Sequence, residues 1–287
     1  MSKVHIVTDS SICLPTRHPA YRFPVTIAPI RISGDLQTIE DDSDLPPAEL
    51  AAFFDSCDTF PSANPPSAET FRRIYENLRQ ETDQILSIHS SGAMCSIVAE
   101  AEKASQHYLG RSSIQVIDSK TLSIGLGLIV QAAVEAAERN RNLEDCVRIV
   151  RGMIPRVYAV FFLEDLSYLD QNGMITRSQA ILGNMLGIIA FLTMEDGQII
   201  PMEKVRSRPR AIEKMVEFVS EFSTVQHIAI LKNGAASRDE VTQLSDRLQS
   251  LHPTTPLTLH TYGPSTATCI GPRSLGVIVL EAEEDFS

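Results

Sequence analysis

Three short polar stretches carry the side chains best able to do chemistry: Thr8-Asp9-Ser10-Ser11, His89-Ser90-Ser91-Gly92 and Asp118-Ser119-Lys120. Each follows a run of apolar residues. Together they offer hydroxyls, carboxylates and an imidazole, which can hold an anion, cap a helix or, in the right geometry, make a nucleophile and its base. A helix opening at Ser91-Gly92 would add free backbone N–H groups and a positive dipole end, a setting for a carboxylate or phosphate. Capping is the commonest local use of any one such Ser or Asp. Three such turns on one edge of a parallel sheet, where open α/β proteins bind ligands, favour a shared site.

Other chemistries find little support. There is no G-x-S-x-G elbow, no Walker motif and no G-x-G-x-x-G, and His89 two residues before Ser91 does not by itself make a triad. His5, His18, His107, His227, His252 and His260 show no HxxxH or HExxH spacing, so neither a metal nor a cofactor is expected. Five cysteines, Cys13, Cys57, Cys95, Cys146 and Cys269, are scattered without a CxxC pair, which suits reduced thiols in a cytoplasm. With 25 Lys and Arg against 36 Asp and Glu, the formal charge is −11, and Trp is absent. Such a chain is a poor binder of nucleic acid or anionic membranes through its overall field. The start, Met1-Ser2-Lys3, lacks a signal-peptide core, and the longest apolar stretch, Ile181 to Met194, is broken by Asn184 and glycines and is too short to span a bilayer. A cytoplasmic protein with no stable membrane insertion is expected. Gly125-Leu126-Gly127 in an apolar helix start is read as close helix packing.

The elements that would position these turns follow from patterning. Val4–Val7 reads as a strand, and Val25–Ile32 as another with an irregularity at Pro29. Helices are predicted from Ala48 to Ser56 behind Pro46-Pro47, and from Ser67 to Glu81 with Phe71, Ile74, Tyr75 and Leu78 on one face. Strand, polar turn and helix then alternate: Gln84–Ile88 with a helix from Ala93 to Tyr108, then Ser113–Ile117 with a helix from Ile124 to Ala137. That is the βαβ signature of parallel sheet. A helix at Leu143–Met153 leads to a strand at Val157–Leu163. The second half mixes helices with a hairpin at Glu195-Asp196-Gly197. The expected fold class is α/β with two domains: residues 1–155 with a parallel sheet, and an α+β domain, 156–287, with mixed or antiparallel sheet.

At finer grain the residues resemble the DegV family. Val7-Thr8-Asp9-Ser10-Ser11 with Leu14-Pro15 is similar to its opening signature. Val116-Ile117-Asp118-Ser119-Lys120 with Ser123-Ile124-Gly125-Leu126-Gly127 is similar to its central motif. Leu166-Ser167-Tyr168-Leu169, Asn172-Gly173, Asp196-Gly197, Glu203-Lys204-Val205-Arg206, Tyr262-Gly263-Pro264 and Gly271-Pro272 continue the likeness in register. The resemblance implies a two-domain protein without catalytic machinery that binds one long-chain fatty acid in a tunnel, its carboxylate near the domain junction. Several members serve as the binding subunit of bacterial fatty acid kinase and present the acid to a separate catalytic subunit.

Carried over residue by residue, the resemblance places ligand contacts at Ser62, with Ala63 standing for the family's serine, at Ser91 and Gly92, and at Cys269. Arg206 is retained at a position associated with kinase docking. The chain also departs from the family. Cys269 replaces a histidine that approaches the carboxylate, Arg273 replaces a glycine, Met174 replaces an arginine, and Ile188-Ile189-Ala190 replaces Ile-Lys-Pro. A thiol is a weak, uncharged donor, so the head group is read differently here. Tunnel residues are expected within Ile181–Leu192 and Val277–Leu280. Two other readings are a regulatory or interaction protein with a vestigial lipid site, and a small serine hydrolase built on Ser91.

Overall fold

A computed structural model describes residues 3–15, 25–41, 44–234 and 238–283; of the singled-out histidines, His18 lies outside them. The polar turns sit where they do because the strands before them are buried. β1 (His5–Asp9) is buried along its whole length, as expected of a strand covered on both faces. β2 (Thr26–Ala28) pairs with it in parallel. Then comes a departure from the single strand predicted at 25–32. Pro29 has no N–H to continue a ladder, and the chain leaves the first sheet there. β3 (Arg31–Ser33) starts a second, antiparallel sheet with β4 (Thr38–Glu40) and, beyond α1 (Pro47–Asp55), β5 (Ser62–Asn64).

α2 (Ala68–Leu78) is capped by the Ser67 hydroxyl, which accepts the Thr70 N–H, and buries Phe71, Tyr75 and Leu78. β6 (Gln84–His89), α3 (Ile97–Ser105), β7 (Ser113–Asp118), α4 (Ser123–Glu138) and α5 (Leu143–Met153) follow. The first sheet, ordered β2-β1-β6-β7, is parallel throughout. A second departure is the start of α3. The predicted helix from Ala93 begins at Ile97, because Ser91 turns the chain back: its hydroxyl accepts the Ala93 N–H and its carbonyl the Met94 N–H. No helix dipole therefore starts at Ser91-Gly92.

The second half supplies β8 (Val157–Leu163), α6 (Ser167–Gln171), α7 (Arg177–Met185), β9 (Ile189–Glu195), β10 (Gln198–Val205), α8 (Arg208–Ser220), β11 (Val225–Lys232), α9 (Arg238–Leu251), β12 (Leu257–Thr261), α10 (Pro264–Ile270) and β13 (Leu275–Glu281). Its sheet is ordered β10-β9-β8-β13-β11-β12 and is mixed, only β11 and β12 running parallel. The fold is thus α/β with a parallel sheet, a mixed sheet and a small antiparallel sheet. Asp196 (φ +48) and Gly197 (φ +82) make the two-residue turn between β9 and β10, the backbone that hairpins prefer.

Alternation along the second-half strands divides two cores. Val160, Phe162, Phe191, Ile230, Val277 and Val279 pack with residues of α8 and α9. Phe161, Leu163, Ala190, Leu192, Leu231 and Ile278 join a core that also holds Ile6, Val7, Leu86 and Ile129 from the first half. One apolar layer therefore runs through both halves.

Gly127 shows how tightly α4 meets the turn after β1. A Cβ there would lie 1.8 Å from the Cys13 carbonyl oxygen, whereas at Gly152 on α5 nothing stands within 4 Å. Gly127→Ala is expected to cost about 1–3 kcal/mol through forced displacement. Gly152→Ala is expected to stabilise by up to about 1 kcal/mol through helix propensity. Denaturant midpoints of the two variants check this; equal shifts would rule out the close contact.

Candidate functional site

The three polar turns converge on Asp9. Its side chain is fully buried at the end of β1. Oδ2 accepts hydrogen bonds from His89 Nδ1 at 3.1 Å, the Ser90 N–H at 2.9 Å and the Ser90 hydroxyl at 3.3 Å. Oδ1 accepts the Ser11 N–H at 3.2 Å and the Ser11 hydroxyl. Burial by itself would raise Asp9, but the hydrogen bond and charge of His89, with Ser11 and Ser90, outweigh it and hold the carboxyl below its ordinary range. Beyond His89 the chain of contacts continues: Nε2 lies 2.8 Å from the Ser87 hydroxyl, which accepts from the Tyr75 phenol at 2.9 Å.

Ser87, His89 and Asp9 thus stand in the order of a hydrolase triad. The structure uses them otherwise. Ser87 is completely buried, its hydroxyl is engaged by Tyr75, and it does not line the adjoining cavity. A nucleophile must reach its substrate.

That cavity, of about 50 Å³, lies between the two halves. Ser11, Ser90, Ser265, Thr266 and Thr268 contribute hydroxyls to its lining; Met94, Cys95 and Cys269 contribute sulfur; Ile30, Ala63 and Leu122 are apolar. α10 supplies four of these residues, and its i, i+4 pair Ser265 and Cys269 share a face. Asp41, just past β4, holds α10 in place: its Oδ1 accepts the Ser265 N–H at 2.9 Å, and its Oδ2 accepts the Ser10 hydroxyl at 3.4 Å. Burial raises Asp41 from 3.8 to about 6, with the Asp9 charge adding to it and the Ser265 N–H opposing it. Burial likewise pushes the Cys269 thiol up to about 12 and Cys95 up to about 11.

The sequence-derived candidates fall in different places. Cys269 lines the cavity. Ser62 does not: it is exposed on β5, and its neighbour Ala63 faces inward, as strand alternation requires. Ser91 is buried, but its hydroxyl donates to the Gly197 carbonyl at 2.7 Å across the two halves. Gly92 belongs to the same turn and lies outside the cavity, packed toward Asp118 and Val98. Arg206 is exposed just after β10, away from these groups. Arg273 pairs with Asp55 and brings no charge to the cavity. Of the expected tunnel residues, Ile181, Leu182, Met185 and Leu186 are exposed, while Ile189–Leu192 and Val277–Leu280 are buried sheet residues. Ser11 and Ser90 belong to the polar turns picked out by sequence, though not to the residues expected to touch a ligand; Ser265, Thr266 and Asp41 belong to neither. The signal for Ser265 was its place one helical turn before Cys269, behind Pro264.

A sequence model of the DegV family matches residues 3–282. The chain belongs to the DegV family. A DegV domain-containing protein of Streptomyces coelicolor is 28% identical over 280 residues, covering 96% of this chain and 98% of that one. Among solved structures, a fatty-acid-binding DegV family protein of Thermus thermophilus is 26% identical, with a TM-score of 0.82 over 98% of this chain and all of that one. The fatty acid kinase B3 protein of Streptococcus pneumoniae, solved with linoleic acid, shares the fold at 18% identity, with a TM-score of 0.82 over 98% of this chain and all of that one. No helix among the described residues is long and apolar enough to cross a membrane. No group of three or more His, Cys, Asp or Glu among them could hold a metal ion.

The two buried carboxylates predict opposite pH behaviour. Asp9 is lowered on folding, so its contribution is present above about pH 4 and is lost as pH falls through its folded value. Asp41 is raised to about 6, so its contribution is full below about pH 4 and is lost as pH rises through 6. Asp9→Asn is expected to cost about 3–5 kcal/mol at neutral pH, the cost of breaking a buried pair. Asp41→Asn is expected to gain stability relative to wild type between pH 4.5 and 7.5. Melting temperatures across that range decide it; a constant gap for Asp41→Asn would show that its carboxyl is not raised.

Proposed function

We propose that this DegV protein binds one long-chain fatty acid between its two halves, head group in the Ser90–Cys269 cavity and acyl chain along the apolar layer that both halves share. The observation that carries the reading is the cavity itself. Polar groups from the loops after β1 and β6 and from α10 meet there at the edge of a core built from both halves. The Thermus thermophilus protein, 26% identical over nearly the full length, is a fatty-acid binder, and that supports the same ligand here. The cavity of about 50 Å³ takes a head group only; enclosed ligand pockets run from about 300 Å³ upward. The chain must therefore displace packed side chains, and it is repaid at about 0.8 kcal/mol per buried CH₂.

The protein acts in this reading as a carrier without chemistry of its own, and presents its acid to a separate kinase subunit. The exposed Arg206 after β10 suits such docking. Met174 and Ile189-Ala190 set the surrounding surface apart from the family pattern.

Protein purified from a bacterial host is expected to yield about one fatty acid per chain by organic extraction and mass spectrometry. A lipid-free protein whose melting temperature ignores added palmitate and oleate would favour the interaction-module reading instead. Thr266→Val is expected to weaken fatty-acid binding by roughly 1–3 kcal/mol, and Ser62→Ala to leave it unchanged. The reverse order in a displacement titration would move the head group to β5.

A further inference from the structure

The cavity wall has an unusual polarity for an anion site. The Ser11 and Ser90 hydroxyls donate to Asp9, and the Thr268 hydroxyl donates to the Ser265 carbonyl at 2.7 Å. The Cys269 thiol points to the same carbonyl at 3.5 Å. Those hydroxyls turn lone pairs, not protons, toward a ligand. A carboxylate only accepts, whereas a carboxylic acid brings its own O–H. The Thr266 hydroxyl is buried and makes no hydrogen bond within the protein, and the Ser265 hydroxyl lies against the Asp41 carboxyl. A free hydroxyl of this kind can donate to the carbonyl oxygen of a ligand.

Apart from the His89 ring, which is committed to Asp9, the surrounding charge has one sign. Asp9 lies behind the Ser11 and Ser90 hydroxyls, and Asp41 behind Ser265. Asp118 at the end of β7 acts on Cys95. The other titratable neighbours are Cys95 and Cys269, on the wall, and His89, whose Nδ1 is held by Asp9. Lys120, the nearest lysine in the three turns, pairs with Asp196 at 2.9 Å, and Arg273 with Asp55. None of the described lining residues is a Lys, Arg or His.

We propose that the site takes its fatty acid as the neutral carboxylic acid, with the proton kept on the ligand, rather than as the carboxylate. The inference rests on the fatty-acid reading above and adds to it the form of the ligand. The bound O–H donates to the lone pairs of Ser11 or Ser90, and the carbonyl oxygen accepts from Thr266. Ionisation in place would set a third carboxylate beside Asp9 and Asp41 without a cation to offset it.

The test is carbon NMR of the full-length protein loaded with palmitic acid labelled at its carboxyl carbon, titrated from pH 5 to 9. A free carboxyl of this kind ionises at about 4–5. The bound resonance is expected to hold the neutral-acid position through pH 7 and to move only above it. Cys269→His, checked for folding by its melting curve, is expected to shift the bound resonance to the carboxylate position at pH 7. A wild-type resonance already at the carboxylate position at pH 6 would overturn the proposal and leave fatty-acid binding standing. No protein-bound resonance at any pH would remove the fatty-acid reading and this proposal with it.

Discussion

A single buried carboxylate organises this protein. Asp9 has no contact with water, and burial of an unpaired charge would be prohibitive. It is stable only because five donor groups from two loops surround it: the N–H and hydroxyl of Ser11, the N–H and hydroxyl of Ser90, and the His89 ring. Those loops leave β1 and β6, which are adjacent parallel strands. Satisfying Asp9 therefore fixes both loops. It also fixes which atoms they show on their other side. The Ser11 and Ser90 hydroxyls are oriented inward to Asp9 and line the cavity with what remains. The character of the cavity wall is a by-product of keeping one charge buried.

The second half is registered against the first by contacts at the same edge. The β9–β10 turn reaches Ser91 through the Gly197 carbonyl, and a side chain at Gly197 would put its Cβ 2.3 Å from the Ser91 hydroxyl oxygen. Asp41 ties α10 to the β3–β4 sheet through the Ser265 N–H. Neither half builds the cavity alone. A ligand bound there touches residues from about 11 to 269 in the chain, so its binding energy acts on the contact between halves as well as on the site.

The sequence revealed what depends on local periodicity. β1, β6 and β7 read as apolar runs, α2 as an amphipathic helix, and Asp196-Gly197 as a hairpin turn, because each signal lies within a few residues. The site was only partly legible. The cluster of polar turns was, but the choice between Ser90 and Ser91, or Ser62 and Ala63, depends on which way one strand residue points. That is set by partners more than 30 residues away. β3, β4 and β5 have three residues each and no readable period. Asp41 sits in the acidic run Glu40-Asp41-Asp42, where composition suggests solvent; only the fold shows it buried against α10. α10 itself, Pro-Ser-Thr-Ala-Thr-Cys-Ile, lacks the apolar stripe by which helices announce themselves.

Cys269 then becomes intelligible as a substitution that the energetics allow. The hydrophobic return on a 16-carbon chain is of order 10 kcal/mol before the cost of parting the core. A head-group hydrogen bond contributes a net 0.5–1.5 kcal/mol, roughly a tenth of that. In the proposed fatty-acid reading affinity comes from the chain, and the head site is free to change its charge preference without abolishing binding. A thiol at 269 removes a cationic partner from a cavity already flanked by Asp9 and Asp41. With an imidazolium the balance of charge would favour an ionised ligand; with a buried, un-ionised thiol the two carboxylates prevail. On that proposal, one side-chain replacement at the wall changes which protonation state of the same lipid fits, while the strands, the Asp9 network and the apolar layer remain as they are.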